Sequence, residues 1–264
     1  MTPSAFTWNS EKVTLKLSDV LTDRRTASRQ PPFLVSFYRS AVGKKWVMAV
    51  TGIVLLGFVI AHTIGNLKIY LEVETSGLYE IDEYGHLLRD FLYPILPRHV
   101  FLWILRVALI IATIFHVHAA VTLTQMNHRA RTTSYAGPRQ YLIASYASRT
   151  MRWSGFIVLA FVLFHLADFT WGIEPFSPAG WEPGAVHADF LLTFARLPVV
   201  VLYVVANLAL GLHLYHGVWS MFQSLGANSP RFNAWRRYFA MAVAYGITLA
   251  NISMPIAVYV GWIT

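Results

Sequence analysis

The chain of 264 residues contains no cysteine, and this absence excludes several kinds of site. Disulfide bonds are excluded, as is a covalently attached c-type haem, which needs a Cys-x-x-Cys-His sequence. An iron–sulfur cluster held by this chain alone is also excluded, because such clusters depend on cysteine thiolates. A redox centre in this protein must use other ligands, and ten histidines are the available candidates.

Charged residues are also scarce. They make up 13% of the chain, against about 25% in an ordinary soluble domain, while hydrophobic residues make up 56%. This composition predicts a protein of the lipid bilayer. The net charge of +8 does not indicate a nucleic-acid partner, because membrane proteins concentrate Lys and Arg in their cytoplasmic segments.

Five stretches are long and apolar enough to cross about 30 Å of hydrocarbon as helices that rise about 1.5 Å per residue. They cover approximately residues 45–67, 99–125, 152–172, 196–225 and 237–262. We therefore predict an all-α integral membrane protein. A bundle of five transmembrane helices would occupy residues 41–264, after a cytoplasmic N-terminal arm over residues 1–40.

The segments that flank these spans alternate in charge. The arm, the second loop and the fourth loop are basic, whereas the first and third loops are acidic. The second loop contains Arg129, Arg131, Arg139, Arg149 and Arg152 and no acidic residue. Because basic loops stay in the cytoplasm, the pattern predicts a cytoplasmic N-terminus and an outside C-terminus.

Four of the five spans carry histidine inside the apolar stretch. These residues are His62 in the first span, His116 and His118 in the second, His165 in the third, and His213 and His216 in the fourth. Ionisable residues in a membrane are costly and mark functional sites. Neutral imidazole is an axial ligand of haem iron, and helical bundles hold such cofactors in their cores. The pattern predicts two haem b groups, each held by two histidines.

Depth in the membrane sorts these histidines into two layers. Counted from the cytoplasmic end of each span, His62 lies at about 25 Å and His165 at about 20 Å. His116 and His213 lie at about 14 to 18 Å on the same scale. We predict an outer site from the first and third spans and an inner site from the second and fourth.

Periodicity leaves part of this ligand set open. His116 and His118 are two residues apart, so they point to nearly opposite faces and only one can line the pocket. His213 and His216 share a face, and spacing does not choose between them. Histidines in membrane helices also serve as interhelical hydrogen-bonding groups, so a non-redox membrane protein is an alternative. For His86, His99 and His187 we predict solvated positions outside the bilayer.

Motifs in four spans resemble those of one known family. They are Thr51-Gly52 before His62 and Gly65-Asn66, Phe115-His116, Arg152-Trp153-Ser154-Gly155 before Phe164-His165, and His213-x-x-x-Gly217-x-Trp219-Ser220. They are similar to motifs of the five-helix cytochrome b membrane anchor of bacterial succinate dehydrogenases and fumarate reductases that use menaquinone. The resemblance runs from about Ser40 to the end of the chain.

This resemblance implies that His62 and His165 hold the outer haem and His116 and His213 the inner one, with His118 and His216 in reserve. It implies a respiratory complex of the bacterial cytoplasmic membrane. A partner flavoprotein would oxidise succinate, and an iron–sulfur subunit would carry electrons to this anchor. The anchor would pass them to menaquinone or another quinone, as one subunit of a succinate:quinone oxidoreductase.

Two alternatives keep the redox chemistry but change the centre or the partner. Two histidines of this chain would suit a Rieske-type iron–sulfur cluster whose cysteines come from a partner subunit. A dihaem cytochrome b of a membrane hydrogenase or formate dehydrogenase is the other alternative. No proton donor for a quinone stands out in the spans, and Asp168 is the only carboxylate near the end of an apolar stretch.

Overall fold

The computed structural model describes residues 31–71, 77–130, 146–227 and 229–264, with the backbone alone for residues 146–149. Residues 1–30 of the predicted arm and residues 131–145 of the basic second loop, with Arg131 and Arg139, lie outside the described residues. Within the described ranges, all regular secondary structure is helical. The predicted all-α class is confirmed for this part of the chain.

Five helices are long and apolar enough to cross a membrane, as predicted. They are α2 (Ala41–Asn66), α4 (Val100–Arg129), α5 (Tyr146–His165), α7 (Leu197–Ser224) and α8 (Pro230–Tyr259). A 3-10 turn over Leu67–Tyr70 extends α2, and a π-helix over Leu166–Thr170 extends α5. Three shorter helices are α1 (Phe33–Arg39), α3 (Glu80–Asp90) and α6 (Val186–Phe194).

Helices α2, α5 and α8 begin before the predicted spans, whereas α4 and α7 begin within one residue of them. Helix α8 starts at Pro230 instead of residue 237, because Ser229 accepts a hydrogen bond from the backbone N–H of Arg231 and proline suits the first helical turn. Helix α2 starts at Ala41, where Ser40 accepts from the backbone N–H of Gly43 at 2.9 Å. Hydropathy marks only the lipid-embedded length, whereas capping residues determine where the helix begins.

The five long helices pack mainly as neighbouring pairs. Helix α2 packs on α4, helix α5 packs on α7, and α8 covers the other side of α7. The two pairs meet through α2 and α7. Small residues are buried along these contacts and allow close approach of the backbones; they include Ala112 and Ala119 in α4, Ala206 and Ala209 in α7, and Ala240 and Ala244 in α8.

Helices α3 and α6 pack on each other and on one end of the bundle, which we call the capped end. An apolar cluster joins them to the long helices. It contains Ile69, Ile81, Phe190, Phe194, Val200, Tyr203, Met254 and Val258. An ion pair between Lys68 and Glu80 at 2.6 Å ties α3 to the end of the first span. The acidic first and third loops form this end, so the charge pattern predicts that it faces outside.

One histidine of the capped end contradicts its predicted solvated position. His187 is only 5% exposed, and its ring stacks on Tyr79 with centroids 3.4 Å apart. Its backbone N–H donates to Asp82 at 3.0 Å. Burial lowers the pKa of His187, and the nearby Asp82 carboxylate opposes this shift. The prediction was wrong because the third loop folds into a helix that packs on α3; His86 and His99 are exposed as predicted.

Candidate functional site

The structure brings the four predicted ligands together as two pairs. The rings of His62 in α2 and His165 in α5 lie 5.8 Å apart, centroid to centroid, at an angle of 77°. The rings of His116 in α4 and His213 in α7 lie 6.4 Å apart at 58°. Each pair therefore joins one helix of the α2–α4 pair to one helix of the α5–α7 pair. These are the pairings that depth predicts.

Both separations suit a metal ion held between two imidazoles. A metal–imidazole bond is about 2 Å long, so two rings on opposite sides of one ion have centroids about 6 Å apart. His62 is exposed, and His116, His165 and His213 are half-buried, although all four lie in membrane-length helices.

His116 is anchored by a threonine of the neighbouring helix. The hydroxyl of Thr51 donates to the backbone carbonyl of Val47 at 2.6 Å. Its oxygen is left to accept from Nδ1–H of His116, which lies 3.1 Å away. The next residue is Gly52, where a Cβ atom would lie 3.6 Å from Cε1 of His116. The glycine thus lets the imidazole lie directly against the backbone of α2.

His213 is held in the same way on the other helix pair. The hydroxyl of Ser154 donates to the backbone carbonyl of Met151 at 3.0 Å and lies 3.5 Å from Nδ1 of His213. A Cβ atom at the following Gly155 would lie 3.3 Å from Cε1 of His213. Each inner histidine therefore packs on a hydroxyl residue followed by a glycine, a dipeptide that we call a hydroxyl–glycine step. The Ser154–Gly155 part of the third-span motif contacts the inner pair, although it precedes an outer histidine in sequence.

The outer His165 has a stronger anchor. Its Nδ1 lies 3.1 Å from the hydroxyl of Tyr203, and that hydroxyl donates to Oδ2 of Asp168 at 2.9 Å. Because a hydroxyl has one proton, Nδ1 of His165 must be the donor in its contact with Tyr203. A hydrogen-bonded chain thus runs from the imidazole to a fully buried carboxylate.

These contacts determine which ring nitrogen is available to a ligand. With the hydroxyl protons of Thr51, Ser154 and Tyr203 directed to these acceptors, Nδ1 is the proton donor in His116, His213 and His165. The Nε2 lone pair is then free. Metal-binding histidines have this arrangement, with one nitrogen on the metal and the other donating to a second group.

His62 has a different environment. Its Nε2 lies 3.3 Å from the side-chain amide of Asn66, one helical turn away, and its ring stacks on Phe58 with centroids 5.2 Å apart. An iron bound through Nε2 would replace the long contact to Asn66. The centroid of the His165 ring lies 5.8 Å from that of His62.

Asp168 is the residue whose role the sequence did not predict. Oδ1 of Asp168 accepts from Arg196 at 3.0 Å and from Thr193 at 3.4 Å. It lies in the π-helix that begins directly after His165, and π-helical turns are frequent at functional sites. A carboxylate at the end of an apolar span was the only sequence signal for this cluster. Its partners Tyr203 and Arg196 come from α7 and the segment before it.

The two pairs lie in layers that are further apart than predicted. Gly52 marks the level of the inner pair in α2, and His62 follows ten residues later. Gly155 marks the same level in α5, and His165 also follows ten residues later. Ten residues correspond to about 15 Å along a helix. The counted depths gave a smaller difference because the helices do not end at the assumed membrane edges.

The reserve histidines have other partners. The hydroxyl of Tyr38 in α1 contacts Nδ1 of His118, and the two rings stack with centroids 5.8 Å apart. His216 packs against Trp219 of its own helix, with centroids 6.5 Å apart. The facing pair at the inner level therefore consists of His116 and His213.

No family model, curated protein or solved structure matches this chain. Its function therefore has to be inferred from the residues of the site. Within the described ranges, no group of three or more His, Asp or Glu side chains could hold a metal ion. The histidine pairs each offer two ligands, which is the number that haem iron takes in a bis-histidine site.

Proposed function

We propose that this chain is the membrane anchor of a succinate dehydrogenase or fumarate reductase complex and carries electrons through two haem b groups to a quinone. One observation supports this most. In three of the four paired histidines Nδ1 lies 3.1 to 3.5 Å from a hydroxyl, so Nε2 is the nitrogen left for a ligand, and the four rings lie in two close pairs. Histidines that served only as interhelical hydrogen bonds would not need free nitrogens in facing pairs.

The residues fit a bis-histidine haem at each level. His62 and His165 would hold the outer group, and His116 and His213 the inner one, each through Nε2. Bound haem iron supplies a one-electron carrier whose potential depends on its ligands, their hydrogen bonds and burial. Gly52 and Gly155 let the imidazole edges lie directly against helix backbone.

The two layers suggest the direction of the electron path. The inner pair lies toward the end of the bundle where α8 begins with Arg231, Arg236 and Arg237, which the charge pattern assigns to the cytoplasm. The outer pair lies at the capped end. Electrons from a cytoplasmic iron–sulfur subunit would reach the inner pair first. This arrangement supports a multi-pass subunit of the bacterial cytoplasmic membrane, with menaquinone or another quinone as the acceptor.

Purification of the complex through an affinity tag on this chain tests the proposal. We expect a flavoprotein and an iron–sulfur subunit to co-purify, and succinate to drive reduction of a soluble quinone analogue. His116→Ala and His165→Ala should abolish quinone reduction, while reduction of a soluble dye by the flavoprotein continues. The exposed His86 provides the control, because His86→Ala should leave both activities unchanged.

The same experiment separates the alternatives. Co-purification of a hydrogenase or a formate dehydrogenase would replace succinate dehydrogenase as the partner while keeping the dihaem function. A complex that contains iron but no haem would favour the Rieske-type cluster. A colourless chain without redox partners, whose histidine variants change no electron flow, would contradict the proposal.

A further inference from the structure

We infer that Tyr203 and Asp168 are positioning residues that tune the outer haem site through His165, an inference that rests on the proposed function. The inner and outer histidines have different anchors. At the inner site, Nδ1 of His116 and Nδ1 of His213 lie beside hydroxyls that donate to neutral backbone carbonyls. At the outer site, the hydroxyl of Tyr203 donates to a carboxylate. The two sites therefore differ at the second hydrogen bond from the imidazole, where the outer site has a carboxylate and the inner site has backbone carbonyls.

The geometry holds Tyr203 in one place. Its side chain is 6% exposed and packs edge-on against Phe161 and Phe194, with ring centroids 4.9 Å and 4.8 Å away. Its hydroxyl lies within hydrogen-bonding distance of both His165 and Asp168. A phenol fixed in this way holds the ring of His165 in a single orientation.

The surroundings of Asp168 supply its carboxylate with hydrogen-bond donors. The side chain is fully buried, and a buried charge is tolerated only with donors that satisfy it. Arg196, Thr193 and Tyr203 supply three donors. The guanidinium of Arg196 also donates to the carbonyl of Phe176 at 2.8 Å, which fixes it at the capped end.

The series of hydrogen bonds from His165 through Tyr203 to Asp168 changes the electron-donating strength of the imidazole. A carboxylate that accepts from the phenol, here paired with Arg196 at 3.0 Å, strengthens the hydrogen bond from Nδ1–H and makes the imidazole a better electron donor. A stronger donor stabilises oxidised iron more than reduced iron. Tyr203 and Asp168 therefore lower the midpoint potential of the outer site, and the hydroxyl anchors of the inner site have a smaller effect.

The test is a redox titration of the purified complex, followed by visible absorbance. In Tyr203→Phe the ring stays in its aromatic cluster and only the hydroxyl is lost. We expect one of the two haem components to move to higher potential, by about tenfold in its equilibrium constant, or about 59 mV for one electron. The other component should not move. Asp168→Asn should shift the same component in the same direction, since asparagine still accepts from Tyr203 but has no charge.

Tyr215→Phe is the matched control, because Tyr215 lies in the same helix and packs in a separate apolar cluster. It should leave both potentials unchanged. Unchanged potentials in Tyr203→Phe and Asp168→Asn complexes that retain both haems would overturn the inference and leave the proposed function standing. Loss of the outer haem in both variants would also overturn it, because the two residues would then be required for haem binding and not for setting its potential. A wild-type complex without haem would overturn the proposed function itself.

Discussion

The ring of His213 packs against Gly155 of helix α5, where a Cβ atom would lie 3.3 Å from Cε1 of the histidine. This contact leaves no room for a larger residue without moving the imidazole. Ser154, the preceding residue, faces Nδ1 of the same ring. A single dipeptide thus sets both the position and the orientation of an inner histidine.

A larger side chain at position 155 should therefore displace the His213 ring and weaken the inner site. We expect Gly155→Leu to weaken binding of the inner haem by at least about tenfold, so that the haem content falls toward one per chain. Haem extraction and protein quantification measure this ratio. Gly57→Leu is the control, because Gly57 also lies in a membrane helix and has open space around it. Equal haem loss in both variants would contradict the role of Gly155.

The reserve histidines should be dispensable for haem binding. His118→Gln and His216→Gln should retain both haems, because His118 contacts Tyr38 and His216 packs on Trp219. His116→Gln and His213→Gln should each lose the inner haem, since glutamine does not replace an imidazole ligand. Reduced-minus-oxidised spectra of the four variants compare them directly. Loss of a haem in His118→Gln with retention in His116→Gln would reverse the assignment in α4.

The orientation of the chain is open to a direct labelling experiment, since the protein has no cysteine of its own. Glu174 lies at the capped end and Ala227 in the connection between α7 and α8, and both are exposed. In intact cells a membrane-impermeant maleimide should label Glu174→Cys and not Ala227→Cys. After permeabilisation both should react. The opposite pattern would invert the topology and place the outer pair on the cytoplasmic side.

Acid should loosen the cap formed by α3 and α6. Burial lowers the pKa of His187 below 6.5, so the unfolded state takes up a proton before the folded state does. Stability therefore falls as the pH decreases through about 6.5. Burial raises the pKa of Asp189, and this effect has the opposite sign, because the folded state then holds the extra proton above pH 3.8.

Limited proteolysis in detergent measures this effect. Between about pH 7.5 and pH 5.5, cleavage within the cap should increase by up to about tenfold per pH unit for one proton. The response should be smaller in His187→Gln than in the wild type, and unchanged in the control variant His86→Gln. An identical response in His187→Gln would exclude His187 as the titrating group.

Composition and hydropathy were sufficient to predict the helical architecture, since lipid permits few other solutions for long apolar segments. The pairing of His62 with His165 and of His116 with His213 also followed from residue counting. The distance between layers did not. Helix ends depend on caps such as Ser40 and Ser229 and lie beyond the apolar stretch. Counting residues from the edges of the apolar stretch therefore underestimated the distance between the two histidine pairs.

Other features depend on tertiary contacts that no local pattern reveals. The link from His165 to Asp168 passes through Tyr203, on another helix, and follows a π-helical turn. The burial of His187 depends on Tyr79, far away in sequence. The hydroxyl–glycine steps at Thr51 and Ser154 can be read from the sequence, but only the structure shows that they contact His116 and His213.

The central claim is that the facing histidines hold two haem b groups, and the dithionite-reduced minus oxidised absorption spectrum of the purified wild-type complex tests it most directly. Bis-histidine haem gives sharp bands in the visible range, and haem extraction gives the number of groups per chain. We predict these bands and two haems per chain. A reduced complex without haem bands would contradict the claim.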